Sequence, residues 1–164
     1  MSLTAARGFA PVGPAIAAAG LVGLLGGVMT LAGAGWSRTL LQPAWQPPGW
    51  LFGPVWSLLF GLLALSFATA WAHAPDTRTQ RRIVALFALN GVFNVAWSGL
   101  FFGARRPDWA AADVVLLWLS IAVMIAALTP VSKRASVLLL PYLCWVSFAA
   151  VLNFEIVRLN APFG

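Results

Sequence analysis

Apolar residues fill this chain in five long runs, and polar residues collect in the gaps. The runs cover about 14–35, 54–72, 83–103, 109–128 and 136–157. A bilayer core of about 30 Å needs roughly 20 apolar residues of helix to cross it. Backbone polar groups in lipid must be satisfied within their own segment, so the runs read as helices and not strands. The pattern predicts an all-α integral membrane protein, a bundle of five transmembrane helices with a structured first loop. One arginine precedes the first run, as in a signal peptide. That run is long and glycine-rich and four more follow it, so it is read as the first span.

Local residues set the expected ends. Pro54 suits the first turn of the second helix, where its missing N–H costs nothing. Asp108 is positioned to cap the fourth helix, and Arg105 and Arg106 suit the negative end of the third. Pro130 stops the fourth helix. Pro141 falls inside the fifth and is expected to kink it.

One connection is long. Residues 36–53 read WSRTLLQPAWQPPGWLFG, with three prolines and three tryptophans. Pro47-Pro48 restricts the backbone, and the aromatics suit a membrane interface. This stretch is either an aromatic belt loop or an ordered lid over the mouth of the bundle.

Composition narrows the class further. Hydrophobic residues make up 61% of the 164 and charged residues only 9%, with mean hydropathy +0.88. Soluble domains carry about 25% charge, so this chain cannot cover a water-facing globule. Residues 1–164 are read as a single membrane domain. The net charge is +6, but the cations stand singly or in pairs between apolar runs, as loops facing anionic headgroups do. They form no basic stripe, so nucleic acid is not an expected partner. Arg7, Arg78, Arg81, Arg82, Lys133 and Arg134 fall on one face, and Arg38, Arg105, Arg106 and Arg158 on the other. The positive-inside rule then places the N-terminus in the cytoplasm and the long loop outside. A single cysteine, Cys144, and a single histidine, His73, leave no intrachain disulfide and no expected metal site.

Several features could carry chemistry. Ala15, Ala19, Gly23 and Gly27 recur every four residues on the first helix, and Gly99 and Gly103 on the third. Small-xxx-small spacing lets helix backbones approach closely, within one bundle or between two protomers of a homodimer. Asn90, Asn94 and Ser98 share one face of the third helix, with Trp97 beside them. Amides in lipid face the interior, either to bond a neighbouring helix or to anchor a ligand. Nine tryptophans exceed what interface belts require, and Trp97, Trp118 and Trp145 lie well inside spans. Trp56 and Phe60 are one turn apart on the second helix. Trp145, Ala149 and Leu152 have helical spacing on the fifth. Buried aromatics with a few amides suit a planar hydrophobic ligand. Glu155 can pair with Arg158, and Asp113 with an arginine of the nearby loop. No carboxylate pair or Ser/His/Asp set is present, so acid–base and nucleophilic catalysis lack candidates. Five spans do not divide into the inverted repeats common in secondary transporters.

Three groups of residues carry a resemblance. They are Trp36 to Leu40 continuing through Gln42-Pro43-Ala44-Trp45-Gln46-Pro47-Pro48-Gly49-Trp50 to Trp56; Leu89-Asn90 through Asn94-Val95-Ala96-Trp97-Ser98 with Phe101-Phe102; and Pro141-Tyr142-Leu143-Cys144-Trp145 with Phe148-Ala149 through Leu152-Asn153. In order and spacing the chain resembles the tryptophan-rich sensory protein / translocator protein family, over nearly its whole length. The resemblance implies a five-helix bundle, usually homodimeric, whose first loop closes a pocket. It implies porphyrins such as protoporphyrin IX and haem as ligands, with no other cofactor required. It also implies a pocket lined by Trp45, Pro47, Trp56, Phe60, Asn94, Trp97, Ser98, Trp145, Ala149 and Leu152. A receptor or sensor of tetrapyrroles in a bacterial cell membrane is the leading expectation. The alternatives are light-dependent porphyrin degradation using Trp56 and Trp145, and transport of tetrapyrroles or sterols. Two positions depart from the family. Ser37 stands where many relatives have Tyr, and Phe154 replaces the Tyr of the animal sterol motif, which argues against a strong sterol site.

Overall fold

The structure is a computed structural model and describes residues 12–163. Five long helices form it: α1 (Val12–Ser37), α2 (Phe52–Ala72), α3 (Thr77–Ser98), α4 (Pro107–Leu128) and α5 (Leu140–Asn160). A 3-10 turn (Gly49–Leu51) leads into α2, a π-helical turn (Gly99–Gly103) extends α3, and a short helix (Lys133–Val137) precedes α5. With these additions, all five are long and apolar enough to cross a membrane. The described residues contain no strand. The chain is an integral membrane protein of the five-helix kind.

The outward faces are those of a protein in lipid. Leu31 is 78% exposed and Leu24 64%, in mid-helix. A water-soluble protein rarely leaves so much contiguous apolar surface uncovered. The buried side holds Leu117, Ile121, Met124, Leu128, Leu139, Tyr142 and Val146, so α4 and α5 provide much of the core. α1 packs on α2, α3 and the π turn, whereas α4 packs on α3 and α5.

Three ends differ from the sequence expectations, each for a local reason. α3 begins at Thr77, not near 83, because Asp76 caps it by accepting the Thr79 backbone N–H at 2.7 Å. The apolar run marks only the part in lipid, and the helix continues outward through Arg78, Arg81 and Arg82. Asp108 does not cap α4. It sits in the first turn, where Arg106 donates to it through Nε at 2.8 Å. Pro141 does not kink a continuous fifth helix. The span is divided after Val137, and Pro141 lies in the first turn of α5, where a missing N–H goes unnoticed. The π turn was not foreseen either; Ala104 N–H donates to the Gly99 carbonyl at 2.7 Å.

The long loop is tied down at both levels of structure. The Leu41 N–H donates to Asn160 Oδ1 at 2.8 Å, and Asn160 Nδ2 donates back to the Leu41 carbonyl at 2.9 Å. Trp45 meets Phe148 edge-on at 5.9 Å. The loop is thus pinned to the end of α5 and closes over the bundle.

Candidate ligand-binding site

Beneath that loop lies a cavity of about 970 Å³. It is at the upper end of the roughly 300–1,000 Å³ typical of small-molecule sites. α1, the loop, α2, α3 with its π turn, and α5 all contribute walls, and α4 contributes none.

Two aromatic groups shape it. On α2, Trp56 and Phe60 lie 5.6 Å apart with planes inclined by 30°. On the other wall, Trp97 stacks on Phe101 at 5.2 Å, and Phe101 contacts Phe102 at 4.8 Å. The π turn matters here. An extra residue in one turn changes the helical register, and Phe101 and Phe102, adjacent in sequence, both border the cavity.

The α1 wall is thin because its residues are small. Gly26 and Gly27 border the cavity, and a Cβ on Gly26 would come within 3.2 Å of the Ser98 hydroxyl. Gly33 is tighter still. A Cβ there would lie 2.7 Å from Phe102 Cβ and 2.8 Å from its carbonyl oxygen. Glycine at 33 therefore lets α1 rest directly on the π turn.

Polar groups are few and mostly committed to neighbours. Asn90 Nδ2 donates to Ser120 Oγ at 2.8 Å, and the Tyr142 hydroxyl donates to Asn90 Oδ1 at 3.3 Å. Asn94 Nδ2 donates to that same hydroxyl at 3.1 Å. Asn90 thus bonds neighbouring helices and does not line the cavity. Asn94 does both. Trp97 Nε1 donates to Asn153 Oδ1 at 3.0 Å, and Asn153 Nδ2 donates to the Pro107 carbonyl at 2.9 Å. These bonds fix the plane of the Trp97 indole.

The expected pocket residues divide as follows. Pro47, Trp56, Phe60, Asn94, Trp97, Ser98, Ala149 and Leu152 line the cavity. Trp45 and Trp145 do not. Trp45 lies on the outer side against Phe148, and Trp145 stands behind Phe52, 5.6 Å away, with its indole N–H buried and unpartnered. Helical spacing placed Trp145 on the correct stretch of α5, but Phe52 from the start of α2 lies against it. The loop residues Arg38, Gln42 and Gln46 were missed as lining residues, as was Asn153. Arg38 follows directly on the last turn of α1, and the loop's return to the bundle brings Gln42 and Gln46 there.

The small residues are used within the chain at two positions. A Cβ on Gly23 would lie 3.2 Å from the Phe60 ring, and one on Gly99 would lie 3.7 Å from Met29 Sδ. That is packing inside one bundle, the first of the two readings. A Cβ on Gly27 or Gly103 would meet nothing within 4 Å, Ala19 is half-buried, and the side chain of Ala15 lies outside the described residues. The expected ion pair of Glu155 with Arg158 is present at 2.8 Å through Nε. Asp113 is different. It is buried, and among the described residues no arginine reaches it and its Oδ2 has no partner.

The fold and site define a class: a five-span membrane protein with a lidded, aromatic internal cavity. The TspO/MBR family pattern matches residues 15–159. The chain belongs to the TspO/MBR family. It is 44% identical over 140 residues to the tryptophan-rich protein TspO of Chlorobaculum tepidum, covering 85% of this chain and 89% of that one. It is 35% identical over 130 residues to the human translocator protein, covering 78% and 76%. The tryptophan-rich sensory protein of Cereibacter sphaeroides is 35% identical over 125 residues, covering 76% and 77%.

Proposed function

We propose that the protein is a membrane receptor or sensor that binds a porphyrin, such as protoporphyrin IX or haem, in the cavity beneath its first loop. The observation that carries this reading is the cavity itself. Trp56 and Phe60 form one aromatic wall, Trp97, Phe101 and Phe102 another, and Asn94 sits among them. A tetrapyrrole is a broad apolar plane with few polar groups, so it gains most from aromatic faces and loses little to buried amides. Titrating the detergent-solubilised protein with protoporphyrin IX tests the reading. Saturable quenching of tryptophan emission at low micromolar porphyrin is expected. Quenching that grows without saturation, as for porphyrin partitioning into micelles, would rule it out.

A second reading is light-driven degradation of the bound porphyrin. Trp56 and Trp97 border the cavity, within contact range of any occupant, and a tryptophan can reduce an excited ligand. Trp145 has no such access. Illumination of the complex separates the readings: porphyrin bands that bleach no faster than those of the free pigment leave binding alone.

A further inference from the structure

The cavity has one feature that the aromatic walls do not require. Its mouth is polar and carries a positive charge. Ser37, Arg38, Gln42 and Gln46 border it on the loop side together with Phe52, Phe101 and Phe102, and Trp56, Phe60 and Trp97 border it a turn or more farther along their helices. No aspartate or glutamate lines it. The two ion pairs among the described residues join Arg106 to Asp108 and Arg158 to Glu155, so these two carboxylates are engaged elsewhere, and the unpaired Asp113 does not line the cavity. Gln46 adds an amide oxygen that is buried without a hydrogen-bond partner.

We infer that Arg38 is an anion anchor for the cavity's ligand. The occupant is then an amphiphile of defined polarity: an apolar plane between the aromatic walls and a carboxylate at the loop end, received by the Arg38 guanidinium. A guanidinium matches a carboxylate in geometry as well as charge, with two parallel donors. Arg38 is exposed at this mouth, so the pairing forms at the cavity's rim and weakens as salt rises. Arg38 selects acids over neutral analogues of the same shape and fixes which end enters first. The inference rests on the cavity being a ligand site, but not on the ligand being a porphyrin.

The test pairs two kinds of probe. 1-Pyrenebutyrate and 1-pyrenebutanol share an aromatic plane and differ in charge; protoporphyrin IX and its dimethyl ester differ in the same way. Dissociation constants are measured in non-ionic detergent for the wild type, Arg38→Ala and Arg38→Lys. In low-salt buffer the wild type is expected to prefer each acid over its neutral partner by about threefold to fivefold, the size of an exposed ion pair. Arg38→Ala abolishes the preference by weakening the acids alone, and Arg38→Lys restores part of it. Equal binding of acid and neutral probe by the wild type overturns the inference without any variant. A preference that survives Arg38→Ala also overturns it. Adding phosphatidylglycerol to the micelles separates a cavity ligand from a lipid headgroup: if the lipid erases the acid preference, Arg38 holds membrane phosphate and the inference fails. If the pyrene acids show the preference and neither porphyrin binds, the porphyrin reading fails alone. If both porphyrins bind equally well and Arg38→Ala changes nothing, the anchor fails alone. If no probe binds, both fail.

Discussion

Asn94 joins two functions in one amide. Its Nδ2 donates to the Tyr142 hydroxyl, yet the side chain borders the cavity. Side-chain hydrogen bonds between membrane helices average only about 0.6 kcal/mol, so losing this one should leave the bundle folded. Losing the polar group facing a ligand is costlier when the ligand has something to bond. Asn94→Leu is therefore expected to weaken protoporphyrin IX about tenfold, with little change in the unfolding temperature, by parallel fluorescence titration and thermal melt. Gly33 is the opposite case, structural and unforgiving. Gly33→Ala puts a methyl into Phe102 side chain and backbone at once, and overpacking of this kind costs about 1–3 kcal/mol. A clear drop in melting temperature is expected, with Gly35→Ala, which meets nothing within 4 Å, as the control. At this scale the sequence was informative about residue type. The four-residue spacing of Asn90, Asn94 and Ser98 does bury all three. It could not say that Asn90 turns to Ser120 while Asn94 turns to the cavity, because that depends on where α4 and Tyr142 arrive.

Elements were legible in their apolar middles and less so at their ends. Hydropathy reports the length in lipid, and a helix can extend past it. α3 gains a polar turn and a half before its apolar run because Asp76 supplies a cap. The Thr79 backbone N–H holds the Asp76 carboxyl below its ordinary 3.8. A lowered carboxyl pKa stabilises the fold at pH above the unfolded value, and that contribution is lost as pH falls through the folded one. The N-terminal turn of α3 should therefore fray on acidification below the ordinary carboxylate range. Hydrogen exchange at Thr79 and Gln80 would read this directly. Asp76→Asn, which keeps a capping oxygen, is expected to hold the turn while removing its pH dependence; Asp76→Ala should fray it at neutral pH as well. The π turn at Gly99–Gly103 had no legible signal, since no residue type specifies an i to i+5 bond. It is nevertheless what brings Phe101 and Phe102 together at the cavity.

Across the whole molecule, the loop decides what the bundle encloses. Five helices follow from span length and composition, and they need no relative. The lid was only one of two readings of residues 36–53, because proline and tryptophan content suits a belt equally well. The Leu41–Asn160 pair and the Trp45–Phe148 contact, about 120 and 100 residues apart in sequence, settle its course over the mouth, and sequence spacing carries no trace of contacts so distant. Removing the latch should affect exchange of a ligand more than its seat. Asn160→Ala is expected to speed porphyrin release about tenfold, with a smaller change in equilibrium affinity, by stopped-flow displacement. The claim on which the rest depends is that the ligand sits inside this cavity and not on the lipid-facing surface. Ala149 borders the cavity on α5, and Ala149→Trp would fill it from one wall. The decisive measurement is the dissociation constant of protoporphyrin IX for wild type and Ala149→Trp, both verified as folded by thermal melt. A loss of at least about tenfold in the variant is predicted, and equal affinity in the two proteins would contradict an internal site.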